Sequence, residues 1–357
     1  MNTYVFFIIR KFFSSFIFVY LVVGSLAIIL NLLTELEFFR NIKIQNYLPI
    51  YLSLLDTPIM MFETFPFLFF ISTLLFFNNL LDDNELNIFK YTGLKNSTII
   101  KIICVTTFAL SLIIISVYYN FSSNLKNLYL SLKKEYTNDG KYLAVITKNG
   151  LWIRDLVNKK KIIINAEKIE SNYLINSYIS IFDENFDIIE NIQSSKVDIS
   201  KTEWVLYNNT VFNNNLGLKN EILRLQTNYN YKIIQNLFSN LSSLTIIELL
   251  NLRKNYINLG YSLTEIDSQL FKISTYPFYL TIMVLLSSLI MLNSKKSNNF
   301  IVKFSYGLFV SVTVYYLNNF FLTLGKTEKI NLFISIASPL IILMLIAIFM
   351  LKNINEK

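Results

Sequence analysis

Six apolar runs, each near the roughly 20 residues a helix needs to cross a bilayer core, dictate most of what this chain can become. They cover about residues 12–33, 58–81, 98–119, 268–292, 300–324 and 331–351, three on either side of a long polar insert. A small soluble domain has no room to bury six such helices on every side, so the runs read as membrane spans. The first follows Arg10 and Lys11 and has no small-residue cleavage site after it, which sets it apart from a secretory signal. The second contains Pro58 and Pro66 and is expected to kink. Composition agrees, with 53% of residues hydrophobic and 16% charged, where soluble chains carry about 25% charge.

The insert has a different period. Segments 142–148, 151–157, 159–169, 173–184, 186–200 and 203–212 alternate apolar and polar residues and are bounded by Asn, Asp, Gly and Ser, as short strands should be. Asn149–Gly150 suits a hairpin turn. A sandwich or jelly-roll outside the membrane follows. Residues 244–259 return to a helical period and stop at Gly260, a suitable helix end. The expected fold class is a membrane α-helical bundle of six transmembrane helices with an inserted all-β jelly-roll. Its domains are 1–125 (helices 1–3), 126–243 (β-domain) and 244–357 (a connecting helix and helices 4–6).

Several chemistries are excluded by what is missing. The chain has no histidine, so His triads, His bases and His metal ligands are absent. Cys104 is the single cysteine, which rules out an intrachain disulfide and any cysteine-cluster metal site. Gly140–Lys141 and Gly325–Lys326 lack the preceding glycine of a phosphate loop, so any ATP-driven work needs a nucleotide on another chain. The net charge of +8 is met by lysines on the cytoplasmic side of a membrane protein without invoking nucleic acid. Arg10, Lys11, Lys90, Lys95, Lys101, Lys295, Lys296, Lys303, Lys352 and Lys357 fall on one side of the spans, and only Arg40, Lys43, Lys326 and Lys329 in the short loops of the other. That bias puts both termini in the cytoplasm and the insert outside.

Three sets of residues are candidates for function. From Asp82 to Tyr91, between the second and third spans, the chain reads as a short amphipathic helix with Leu81, Glu85, Ile88 and Phe89 at helical spacing. Asp82 and Asp83 suit its first turn and Gly93 its end. Such a helix either sits in a groove of a cytoplasmic partner, with Glu85 offered to an arginine, or merely joins two spans. Glu63 is an ionisable residue inside a span; it faces a polar cavity, pairs with a lysine such as Lys43, or reaches the headgroups. In the insert, Leu143, Val145, Trp152, Ile162, Ile164, Ile179 and Ile181 are placed inward by alternation. They form a packed core or, if the sheets stay open at one end, a greasy groove.

Together these motifs resemble the LptF/LptG family of lipopolysaccharide-transport permeases, over essentially the whole chain. The resemblance is carried by residues 65–95 (FPFLFFISTLLFFNNLLDDNELNIFKYTGLK), 149–155 (NGLWIRD), 203–208 (EWVLYN) and 244–260 (LTIIELLNLRKNYINLG), the last nearer to LptG. It implies an inner-membrane half-transporter that pairs with an LptF-like permease on an LptB-like ATPase dimer and hands lipopolysaccharide to an LptC-like protein. ATP and Mg would stay on the ATPase, and this chain would bind no cofactor. By the same resemblance 82–91 is the coupling helix and Glu85 its acidic contact to the ATPase. Where family members carry several lysines at the outer end of the first helix, meeting lipid A phosphates, this chain has Glu35, Glu37, Arg40 and Lys43. A membrane enzyme or an extracytoplasmic sensor would be the alternatives. The lack of His or a facing Ser–Lys or Asp–Asp pair weighs against the first, and six spans without an output domain against the second.

Overall fold

A computed structural model describes residues 3–42, 45–134, 136, 151–157, 160–170, 172–213, 216–231, 233–234, 240–259, 261–293 and 300–355. Its helices are α1 (Thr3–Phe38), α2 (Leu48–Asp82), α3 (Glu85–Tyr91), α4 (Asn96–Lys134), α5 (Ile246–Leu259), α6 (Thr264–Asn293), α7 (Phe300–Lys326) and α8 (Leu332–Asn355). All but α3 and α5 are long and apolar enough to cross a membrane. The strands are β1 (Leu151–Val157), β2 (Lys160–Glu170), β3 (Tyr173–Phe182), β4 (Ile188–Asp198), β5 (Glu203–Asn213) and β6 (Leu216–Gln226). Two compact units result: Met1–Lys126 with Thr264–Lys357, and Asn127–Leu263.

In the helical unit α2 and α6 form the centre, with 67% and 72% of their most apolar stretches buried, against 11% for α1 and 17% for α7. Prolines explain part of how the centre is stitched. Pro66 has no N–H to give the carbonyl of Phe62 one turn back, and the Tyr276 hydroxyl of α6 donates to that carbonyl instead. Two further bonds cross between helices to carbonyls that no proline frees: Ser287 of α6 donates to Phe70 O at 2.8 Å, and Tyr118 of α4 to Pro58 O at 3.1 Å. In hydrocarbon an unmet backbone acceptor is costly, so hydroxyls from neighbouring helices are the natural remedy. Tyr118 and the fully buried Tyr119 lie in a π-helical turn, Ile114–Tyr119, inside α4. Along α1, Phe16 packs on Phe69 with ring centroids 4.6 Å apart, and Phe12 meets Phe76 edge-on at 5.8 Å.

Several helices outrun their apolar runs, α2 and α4 among them. α2 starts at Leu48 with Pro49 in its first turn, where a proline's missing N–H costs nothing. α4 continues as helix through the polar stretch to Lys134.

Among the described residues the β-unit is one hydrogen-bonded antiparallel sheet in chain order, β1-β2-β3-β4-β5-β6. Segment 142–148 and the Asn149–Gly150 turn lie outside the described residues. β6 was not anticipated, because Leu218 and Ile222 sit among polar residues and are exposed. The sheet carries a crease. Regular pairing skips one position on each of five strands, at Glu167, Asn176, Ser195, Asn208 and Glu221 in line across β2 to β6. Asn176 and Asn208 adopt positive φ there, 50° and 48°, a conformation that asparagine tolerates better than most residues. The buried face changes parity at the same line: Ile164 and Ala166 on one side, Leu174, Val197 and Leu206 on the other. The register is the same on both sides of the line, so this is a matched bend in neighbouring strands, the kind by which a sheet turns a corner without ending. α5 begins with a capping box, the Thr245 N–H donating to Glu248 Oε2 at 3.0 Å and the Glu248 N–H to Thr245 Oγ1 at 3.4 Å.

Candidate functional site

The segment between α2 and α4 is set by its turns. Asn84, at φ 56°, separates α2 from α3. At the other end Gly93 takes φ 79°, its N–H donating to Lys90 O at 3.0 Å and the Leu94 N–H to Phe89 O at 2.9 Å. That bonding pattern is a Schellman motif, which closes a helix on a left-handed glycine. The helix is therefore Glu85–Tyr91, and Leu81 and Asp82 belong to the last turn of α2, where Asn78 Nδ2 donates to Asp82 Oδ2 at 2.7 Å. The expected start at Asp82 is corrected because Asn84 breaks the run.

α3 buries Leu86 and leaves Ile88 57% exposed. Phe89 is half-buried and meets Phe7 of α1 edge-on at 6.1 Å. Glu85 is not free: Lys11 Nζ of α1 lies 2.5 Å from its Oε2 and 2.7 Å from Asp83 Oδ2. An ion pair and an aromatic contact thus join the start of α1 to α3. Sequence reading placed Lys11 only as a flanking charge; its distance of more than seventy positions from Glu85 gives no local signal. An open cleft beside it is lined by Lys11, Ser15, Phe76, Asn79 and Asp83.

The cationic and acidic candidates for the headgroup side of the membrane sit at two helices. Arg40 is exposed just beyond α1, Glu63 is exposed on α2, and Lys43 lies outside the described residues. Buried and half-buried polar groups also occupy α1, α2 and α4. Asn31 donates to Thr57 at 3.1 Å, Glu35 is 3% exposed, and Lys126 pairs with Asp56 at 2.5 Å. Asp56 escaped notice because the span was read as starting at Pro58, two residues after it.

In the β-unit the inward placement of Ile162, Ile164, Ile179 and Ile181 holds; all are at most 4% exposed. Ile164 pairs with Ile153 on one side and Ile179 on the other, and Ile179 with Ile192, so one apolar row crosses four strands. Trp152 is corrected. It is 57% exposed, because in LWIRDLV the inward set is Leu151, Ile153 and Asp155. Leu143 and Val145 lie outside the described residues. Asp155, fully buried, accepts from the Asn228 N–H at 2.9 Å, Asn228 Nδ2 at 2.8 Å and the Leu156 N–H at 2.8 Å. Tyr229 then donates to Arg154 O at 3.0 Å and receives Trp204 Nε1 on its carbonyl at 2.8 Å. Asp155 and Trp204, both in the motifs singled out from sequence, thus lock the chain after β6 to the sheet.

Among the described residues no cluster of acidic, Cys or His side chains could hold a metal. The arrangement offers two working surfaces: a polar turn tied to α1, and an apolar inner face on a creased sheet. The family model described as "Lipopolysaccharide export system permease LptF/LptG" matches residues 7–353. No curated protein matches the chain.

Proposed function

The chain belongs to the LptF/LptG family of lipopolysaccharide export permeases, and from that premise we propose that it is one half of an ATP-driven inner-membrane transporter. In this reading it takes lipopolysaccharide from the outer leaflet and passes it along its periplasmic β-domain toward the outer membrane. The observation that carries the reading is the match over residues 7–353, which takes in the spans, the turn with α3 and the whole sheet. The family is one of transport permeases, not enzymes, and the ATP is hydrolysed on an LptB-like dimer docked under α3. An LptF-like permease completes the membrane portion and an LptC-like protein receives the lipid. The helix 244–260 and its neighbourhood favour the LptG side of the family.

The physics of the task fits these parts. Each acyl CH₂ exposed to water costs about 0.8 kcal/mol, so a lipid leaves the bilayer only along a dry path and with outside work. The spans begin such a path, and the row through Ile153, Ile164, Ile179 and Ile192 continues it. Arg40, with Lys43 and Glu63, is the candidate headgroup set. Work enters through α3, whose Glu85 meets an arginine of the ATPase while Lys11 and Phe7 pass the displacement to α1. Both termini then lie in the cytoplasm.

The test is Glu85→Ala in the assembled transporter. Export is expected to fall at least tenfold while the chain still inserts and the sheet still folds. Normal export in cells carrying only this variant, or purification of the wild type without a nucleotide-binding subunit, overturns the reading.

A further inference from the structure

The row of residues beside the crease turns polar from β3 onward, where the neighbouring rows are apolar. It runs Ala166, Ser177, Ser194, Asn209 and Asn220 across β2 to β6. Ser177 and Asn209 are each 1% exposed, and Ser177 Oγ and Asn209 Oδ1 have no hydrogen-bond partner among the described residues. Ser194, between them, is satisfied: it donates to Tyr207 O at 2.8 Å. Asn209 Nδ2 donates to Leu206 O at 3.2 Å, which fixes Oδ1 as the atom left over. The two orphans stand two strands apart, about 9–10 Å. On one side of them lie Ile179 and Ile192, on the other Leu174 and Val197, all buried.

Buried polar atoms are almost always partnered, so two on one row need a reason. Apolar walls with a few placed polar atoms are the mark of a ligand site. We propose that this row is a hydrogen-bonding subsite for an acyl chain that bears a hydroxyl or amide group. The proposal rests on the reading that the β-domain conducts lipid. Asn209 Oδ1 can only accept, so the ligand must donate there, and the apolar flanks require that the donor ride on an aliphatic body. A plain saturated chain has no donor, and a free carboxylate would set anionic oxygen against an acceptor. A sugar would bring more hydroxyls than two orphan atoms can serve. Burial fades along the row toward β6, the side from which a chain would enter: Leu218 is 65% exposed and Asn220 is exposed.

The experiment uses the full chain in nanodiscs with two photoreactive probes, 3-hydroxymyristate and myristate, each with a terminal diazirine. Capture within residues 160–226 is read by peptide mass spectrometry. The expected result is a preference of about tenfold for the hydroxylated probe. Ser177→Ala removes a hydroxyl that has no partner among the described residues, so the variant keeps its fold. It is expected to cut the preference to about threefold or less without changing myristate capture. Equal capture of both probes by the wild type, or a preference untouched by Ser177→Ala, overturns the subsite and leaves the lipid path standing. Capture of neither probe in this region overturns both.

Discussion

Lys11 donates to Asp83 and Glu85, and Phe7, one turn earlier, meets Phe89, so two contacts of different physics join α1 to α3. If they act as a tie, cysteines at positions 7 and 89 should cross-link readily in the otherwise native chain. Lys11→Glu, which crowds three carboxylates, should slow that cross-link several-fold, and Lys11→Glu with Glu85→Lys should restore it. An unchanged rate in Lys11→Glu removes the tie. In the β-unit, burial first, and then the neighbouring Asp155 and Tyr261, push the Tyr229 hydroxyl well above a tyrosine's ordinary 10. The folded form then keeps a proton that the unfolded chain releases above about pH 10, so this contribution is intact below that pH and is lost as pH rises past it. Tyr229→Phe should lower stability near pH 8 by about 1 kcal/mol, through the lost bond to Arg154 O. It should also flatten the decline between pH 10 and 11. Both tryptophans, Trp152 and Trp204, lie in this unit, so their fluorescence during denaturant unfolding reads it directly. Residues like Ile164 and Ile179 were legible because a half-buried strand repeats every two positions. Trp152 was not, since LWIRDLV is apolar at both parities and alternation alone cannot choose a face. Lys11, Asp56 and Lys126 act through partners far away in sequence, where no periodicity reaches.

At the scale of elements, the α7–α8 hairpin depends on one small residue. A Cβ on Gly325 would fall 2.1 Å from Ser335 Oγ and 2.9 Å from its Cβ, so Gly325→Ala has to push the two helices apart. The expected consequence is a loss of about 1–3 kcal/mol, the usual range for overpacking, seen as a lower melting temperature in detergent. Gly325→Ala with Ser335→Gly should recover most of it; no recovery would place the cost elsewhere. The spans themselves were readable from hydropathy, yet their ends were not. α2 begins ten residues before its apolar run because Pro49 can open a helix, and α4 outlasts its own because the polar stretch to Lys134 still favours helix. The crease is the opposite case. Asn176 and Asn208 look like turn residues in sequence, and only the register of four strand pairs shows that they fold a sheet instead of ending it.

For the molecule as a whole, burial sorts the spans into a centre and a rim. α2 and α6 hold each other through hydroxyl-to-carbonyl bonds, whereas α1 leans on α2 through aromatic rings and keeps Leu21, Leu26 and Leu33 exposed. On the proposed ATP-driven function, spin labels on α1 and α2 should therefore change separation by several ångströms when nucleotide is added, while labels on α2 and α6 stay fixed. Movement between α2 and α6 with α1 static would reverse the assignment of centre and rim. The first span is 36 residues long without a proline, a rod of roughly 54 Å at 1.5 Å per residue. A push delivered at Lys11, in its third turn, would have no joint in which to dissipate, and it would arrive at the opposite face of the bilayer as a tilt of the far tip.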